Sequence, residues 1–136
     1  MNRIKYRSGY KYQLAEEYSV EVSIRPEKNI ETDFIALNTA GLLVTKKGYA
    51  WDGPSGPTFD TKNFMRGSLV HDALYQLMRN ELLPASCREQ ADLELHKICR
   101  EDGMSKIRAW YVLWGVRKFA NFAVSPESRK PVLTAP

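Results

Sequence analysis

The sequence is poor in the groups that bind metals or cross-link a chain: its 136 residues hold two cysteines and two histidines. Cys87 and Cys99 fall on one expected helix, twelve positions apart, about 18 Å at 1.5 Å per residue. A disulfide needs Cα atoms within about 7 Å, so these two cannot bridge each other. No apolar run approaches the roughly 18 residues of a membrane-spanning helix, which excludes a transmembrane segment. The basic start Met1-Asn2-Arg3-Ile4-Lys5-Tyr6-Arg7 is not followed by the apolar stretch of a secretory signal. The expected location is therefore a cytoplasm, with exit by lysis or inside a particle. Internal repeats, low-complexity tracts, a dense basic stripe and an RNA-binding aromatic motif are all missing, so nucleic-acid binding is not expected.

What is there suits a soluble globular domain. Hydrophobic residues make up 43% and charged residues 26%, ordinary proportions for that class. A chain of this length buries about two thirds of the surface its unfolded form exposes, enough to fold without a metal or a disulfide. The net charge of +4 allows attraction to anionic lipid, nucleic acid or an acidic partner without choosing among them.

In chain order the first fifty residues carry β signals. Tyr12-Gln13-Leu14-Ala15 and the alternating Tyr18 to Ile24, closed by Pro26, read as strands. Asp33 to Leu37 and Leu42 to Thr45 read as a hairpin across the turn-rich Asn38-Thr39-Ala40-Gly41. Gly48 to Pro57 differs: Gly53, Pro54, Gly56 and Pro57 after Trp51 forbid regular structure. It is expected to be a shaped loop, either a rigid turn or one whose carbonyls face a hard cation. Helical signals then run over 63–80, 85–102 and 104–122, the second entered through Pro84-Ala85-Ser86 and the third after Gly103. The expected fold is α+β, a small N-terminal antiparallel sheet followed by three helices. It is a single domain over 1–124, with a β-rich front (10–50), the loop (51–62), a helical part (63–122) and a poorly ordered tail (125–136). In the third helix Ile107, Trp110, Tyr111, Trp114, Val116 and Phe119 recur at helical spacing, most simply as core.

The first helix carries the candidate chemistry. His71 and Tyr75 share a face at i, i+4, and Asp72 sits about 100° round the axis. Asp92 stands in Gln90-Ala91-Asp92-Leu93-Glu94-Leu95 on the next helix. If the two helices pack antiparallel, Asp92 comes opposite His71 and can accept a hydrogen bond from its ring. A histidine so held is a general base for water, and Asp72 with carbonyls of the Trp51 to Gly56 loop offers oxygen ligands of the kind Ca²⁺ takes. Two other readings stay open at this point: a buried histidine satisfied by its helix neighbours, and a Zn²⁺ site from His71, Asp92 and His96.

These residues carry a resemblance. Trp51-Asp52-Gly53, then Ser55, Pro57 and Phe59, then His71-Asp72-x-x-Tyr75 with Arg79-Asn80 resemble the secreted phospholipase A2 superfamily, most closely its short bacterial and fungal branch. Residues 10 to 120 also resemble a family of small phage and prophage proteins with a domain of unknown function, marked by a Gly-Tyr-x-x-Asp-Gly-x-Ser loop and a His-Asp-x-Leu-Tyr helix. The resemblance implies a phospholipase A2-like helical pair in which His71 activates water, Asp92 orients it and Tyr75 supports Asp92. It also implies calcium held by Asp72, Asp52 and the Gly53 carbonyl. The implied function is a calcium-dependent, phospholipase A2-like hydrolase of phage or prophage origin, acting on phospholipid or another acyl substrate. The alternative is a virion or tail-associated structural protein that keeps the fold without catalysis, with other phage proteins as partners. Host cytoplasm or the virion is the implied location. The chain departs from the phospholipases in lacking their disulfides and signal, in Pro54 and Pro57 within the loop, and in its β front.

Overall fold

A computed structural model describes residue 4 and residues 6–9, 11–51 and 62–118, the side chains of 6–9 and 11 excepted. The architecture is α+β, strands first and helices after. β1 (Tyr6–Gly9), β2 (Lys11–Leu14) and β7 (Ala50–Trp51) form one sheet in the order β1-β2-β7. β3 (Tyr18–Glu21), β4 (Ile30–Glu31), β5 (Ile35–Leu37) and β6 (Leu42–Thr45) form another in the order β3-β6-β5-β4. All these ladders are antiparallel.

Alternation sets the second sheet's register. Ile35 pairs with Thr45 and Leu37 with Leu43, all four side chains buried, as a period of two demands when one face meets the core. The turn between β5 and β6 closes as its sequence suggests: the Asn38 carboxamide oxygen accepts from the backbone N–H groups of Ala40 and Leu42. Gly41 takes a φ of +90°, and a Cβ there would lie 2.6 Å from the Val22 carbonyl oxygen, so only glycine fits.

One expected sheet is thus two. β2 ends at Leu14, whose N–H donates to Tyr49 O while Gly48 N–H donates to Leu14 O. This draws Ala50–Trp51, expected in the shaped loop, into a strand beside Tyr12 and Gln13. The prolines that forbid strand lie downstream of Trp51, and Tyr49 and Trp51 favour extended backbone. The strand expected over Tyr18 to Ile24 leaves its ladder after Glu21, although Val22 and Ile24 remain buried. Residues 52–61 and 119–136, including Phe119 and the expected tail, lie outside the described residues.

Three α-helices follow among the described residues: α1 (Lys62–Arg79), α2 (Arg88–Glu101) and α3 (Lys106–Lys118). The helix expected from Ala85 opens instead with a 3₁₀ turn, Ala85–Cys87, so Cys87 precedes α2 while Cys99 lies within it, both as free thiols. Gly103, at φ +99°, ends α2, with Met104 N–H closing back on Cys99 O. Leu69, Val70, Ala73, Leu74 and Leu77 of α1 are fully buried and share one core with Leu14, Ile24, Leu37 and Leu43 of the β front. Among the described residues no helix is long and apolar enough to cross a membrane.

α1 and α2 run antiparallel, because the start of α1 meets the end of α2 and its middle meets Asp92. Arg66, 3% exposed, reaches Asp102 through Nε and Nη2, Glu101 through Nη2 and the Tyr18 hydroxyl through Nη1. A buried guanidinium needs its nitrogens partnered, and this one joins α1, α2 and β3 at a single point. The next residue, Gly67, lies against α2.

The aromatic run of α3 is a correction. Ile107, Trp110, Tyr111 and Trp114 are 83%, 62%, 51% and 50% exposed, not core. α3 leans on Phe64, Leu95, Cys99 and Met104 through Ala109 and Val112, with Val116 beside them. At about 100° per residue that small-residue stripe lies opposite the large one. Both stripes are apolar, so periodicity alone could not choose which packs.

An ideal Cβ on Gly67 would stand 2.9 Å from Cys99 Sγ, 3.0 Å from Leu95 Cδ1 and 3.3 Å from the Leu95 carbonyl oxygen. Alanine gains about 1 kcal/mol of helix propensity over glycine but overpacks a buried contact, which costs about 1–3 kcal/mol. Because part of the obstacle is backbone, Gly67→Ala is expected to lower stability by about 1–2 kcal/mol. The shift of the urea midpoint measures it.

Candidate active site

α1 is buried almost all round, so its polar residues must find partners in neighbouring elements. His71 and Tyr75 turn toward α2, where both meet Asp92, a fully buried carboxylate. His71 Nε2 lies 2.8 Å from Asp92 Oδ1, and the Tyr75 hydroxyl donates to the same oxygen at 2.6 Å. A carboxylate only accepts, so Nε2 is the donor, and the neutral ring in that arrangement carries its lone pair on Nδ1, the tautomer a base requires. The His71 side chain keeps 14% of its surface against 1% for Asp92, so the ring retains access to solvent and its partner does not. The two rings of α1 lie 4.1 Å apart between centroids, inclined at 34°, which restricts the imidazole further.

Asp92 Oδ2 is buried with no hydrogen-bond partner among the described residues. Both donors converge on Oδ1, leaving a desolvated lone-pair oxygen that costs free energy. Burial, then the hydrogen bond to Asp92, push the Tyr75 hydroxyl far above its ordinary range. It therefore acts as a fixed donor at any physiological pH.

Asp72 turns to a different face of α1, toward the β front. Its Oδ2 accepts a hydrogen bond from the Tyr49 hydroxyl, and its Oδ1 lies 3.7 Å from Arg79 Nη2. Loss of water around the carboxyl raises its pKa, opposed by the Tyr49 hydrogen bond and the Arg79 and His71 charges. Tyr49 is raised well above its usual value by burial first and by the Asp72 charge next. Neighbouring Trp51 donates from Nε1 to Ser68 Oγ, which in turn donates to Met65 O.

The structure thus brings His71, Tyr75 and Asp92 together and keeps Asp72 on the adjoining face. Asp52 and Gly53 lie outside the described residues. Among the described residues no three His, Cys, Asp or Glu side chains gather as a metal could use them, so His71, Asp92 and His96 are not brought to one ion. Asp92 instead gives its one engaged oxygen to His71 and Tyr75. Sequence reasoning missed the partners of Asp72. Tyr49 stood in the Gly-Tyr-x-x-Asp-Gly pattern and Arg79 beside the His-Asp-x-x-Tyr run, two positions that gave a signal without a role.

Groups held neutral by burial tie stability to alkaline pH. Tyr18 and Cys87 are raised by burial, Tyr49 and Tyr75 more strongly, and Cys99 is pushed up to about 12. Unfolded, the thiols ionise near 9.0 and the phenols near 10.0. The unfolded state therefore binds fewer protons above those values, and stability falls as pH rises. Constant stability is expected up to about pH 9, then a loss approaching about 1.4 kcal/mol per pH unit for each group still neutral when folded. Tyr75→Phe is expected to cost about 1–2 kcal/mol at pH 7 through the lost hydrogen bond and to flatten the slope above pH 10 by one group. Urea unfolding at pH 7, 9, 10 and 11 measures both.

No family model matches the chain, and neither a curated protein nor a solved structure does.

Proposed function

We propose that the chain is a phospholipase A2-like hydrolase of phage or prophage type, using His71 as the base that activates water against an acyl ester. The observation that supports it is the 2.8 Å contact between His71 Nε2 and Asp92 Oδ1, which fixes the ring and leaves Nδ1 to receive a proton. In the reaction, Nδ1 takes a proton from water as its oxygen bonds to the ester carbonyl carbon. When the tetrahedral adduct collapses and the carbon–alkoxide bond breaks, the same proton passes to the leaving oxygen, and acid and alcohol are released. Asp92 holds the imidazole in place, while Tyr75, donating to Asp92, acts as a positioning residue.

Calcium belongs to the same proposal. Asp72 supplies a hard oxygen donor of the right chemistry. The Asp52 carboxylate and the Gly53 carbonyl would complete the set. A bound calcium ion would polarise the ester carbonyl and stabilise its oxyanion. Arg79 and Tyr49 already engage Asp72, and that engagement favours the second reading, a virion or tail-associated protein that keeps the fold without catalysis.

Fatty-acid release from mixed phospholipid vesicles separates the two. With calcium, the wild type is expected to release fatty acid and His71→Ala to lose about 10²–10⁴-fold. Chelation is expected to lower the wild-type rate. Background release by both proteins in both conditions removes the hydrolase reading and favours the structural one. For the ion itself, calcium is expected to raise the melting temperature of the wild type and not that of Asp72→Asn.

A further inference from the structure

The hydrolytic site makes no use of the outer face of α3. Ile107, Trp110, Tyr111 and Trp114 hold half or more of their surface in solvent, and they make up half of the eight large hydrophobic residues exposed among the described ones. With about 100° between successive residues, all four fall within one quadrant or little more, opposite Ala109 and Val112. Isolated exposed apolar residues need no explanation, but a contiguous stripe of them does.

Three features of the stripe indicate what covers it. Its rings are two tryptophans and a tyrosine, whose polar tips suit the zone between water and acyl chain. The helix Lys106–Lys118 contains Lys106, Arg108, Arg117 and Lys118 and no acidic residue. Lys106, Arg117 and Lys118 border the stripe by helical position, Lys118 Nζ standing 4.9 Å over the Trp114 ring, whereas Arg108 turns back to Asn63 Oδ1. A second copy of the same face would bring these cations against their own kind, but an anionic surface would neutralise them. A helix of 13 residues is about 20 Å long, too short to span a bilayer and long enough to lie along one.

We propose that the outer face of α3 docks in the plane of an anionic phospholipid bilayer, its aromatic rings at headgroup depth and its basic residues against lipid phosphates. The inference concerns α3 alone and does not rest on the hydrolase reading, so it is tested with His71→Ala protein. Phosphatidylcholine vesicles with and without phosphatidylglycerol serve as probes. Cosedimentation is expected on the anionic vesicles only and to fall as salt is raised. It should come with a blue shift in tryptophan emission from Trp110 and Trp114, since Trp51 is already buried. The double substitution Trp110→Ser with Trp114→Ser is expected to weaken binding about tenfold or more. Arg117→Glu and Lys118→Glu are each expected to weaken it about fivefold. These residues are exposed, so the variants are expected to keep the wild-type circular dichroism. Absence of binding to either vesicle, or binding unchanged in the double tryptophan variant, overturns the proposal. So does a dimer in solution that the same variant dissociates, which would assign the face to a second copy of the chain.

Discussion

The close approach of α1 to α2 at Gly67 is the constraint on which the rest of the molecule depends. A helix pair separated by a larger residue there would stand further apart along its length, and hydrogen bonds of 2.8 and 2.6 Å from His71 and Tyr75 to Asp92 leave no room for that. The missing side chain is thus as much a part of the site as the residues it brings together. Arg66, one residue earlier, fixes the relative slide of the two helices by holding the end of α2 through Asp102 and Glu101. The contact distance and the longitudinal register are set by adjacent residues, and Asp92 arrives opposite His71 as a consequence.

The price of that arrangement is a buried carboxyl group. Asp92 is enclosed by protein and receives two donors on one oxygen, the other having no partner among the described residues. A fold selected for stability alone would place an apolar residue there, because replacing a buried polar set by packed hydrocarbon is often neutral or better. Asp72 is treated differently: it keeps a third of its side chain in solvent and is bracketed by a phenol and a guanidinium. Two carboxylates therefore meet quite different surroundings about the same imidazole, Asp72 as its neighbour in the chain and Asp92 as its hydrogen-bond partner from the next helix.

Much of this was legible in the sequence, and the limits have physical causes. The α1 and α2 assignments followed from period and punctuation, and the antiparallel pairing that puts Asp92 opposite His71 could be stated as a condition. The division of the β front could not, since Ala50–Trp51 joins β2 through a pairing across almost forty residues and short strands carry little periodic signal. The orientation of α3 was equally hidden. Its two faces are both apolar, and the choice between them was made by the small volumes of Ala109 and Val112 against Leu95 and Cys99, a matter of fit that no single helix discloses. Tyr49 was visible as a motif residue, but its bond to Asp72 depends on where β7 lies.

The attachment of β7 has a mechanical consequence. Tyr49 grips Asp72 and Trp51 grips Ser68, and these helix positions are one turn apart on the same side of α1. The strand is therefore bolted to the helix at two points and cannot pivot about either. Displacement of this end of the sheet β1-β2-β7 is therefore tied to the turn of α1 that carries Asp72, the residue beside His71.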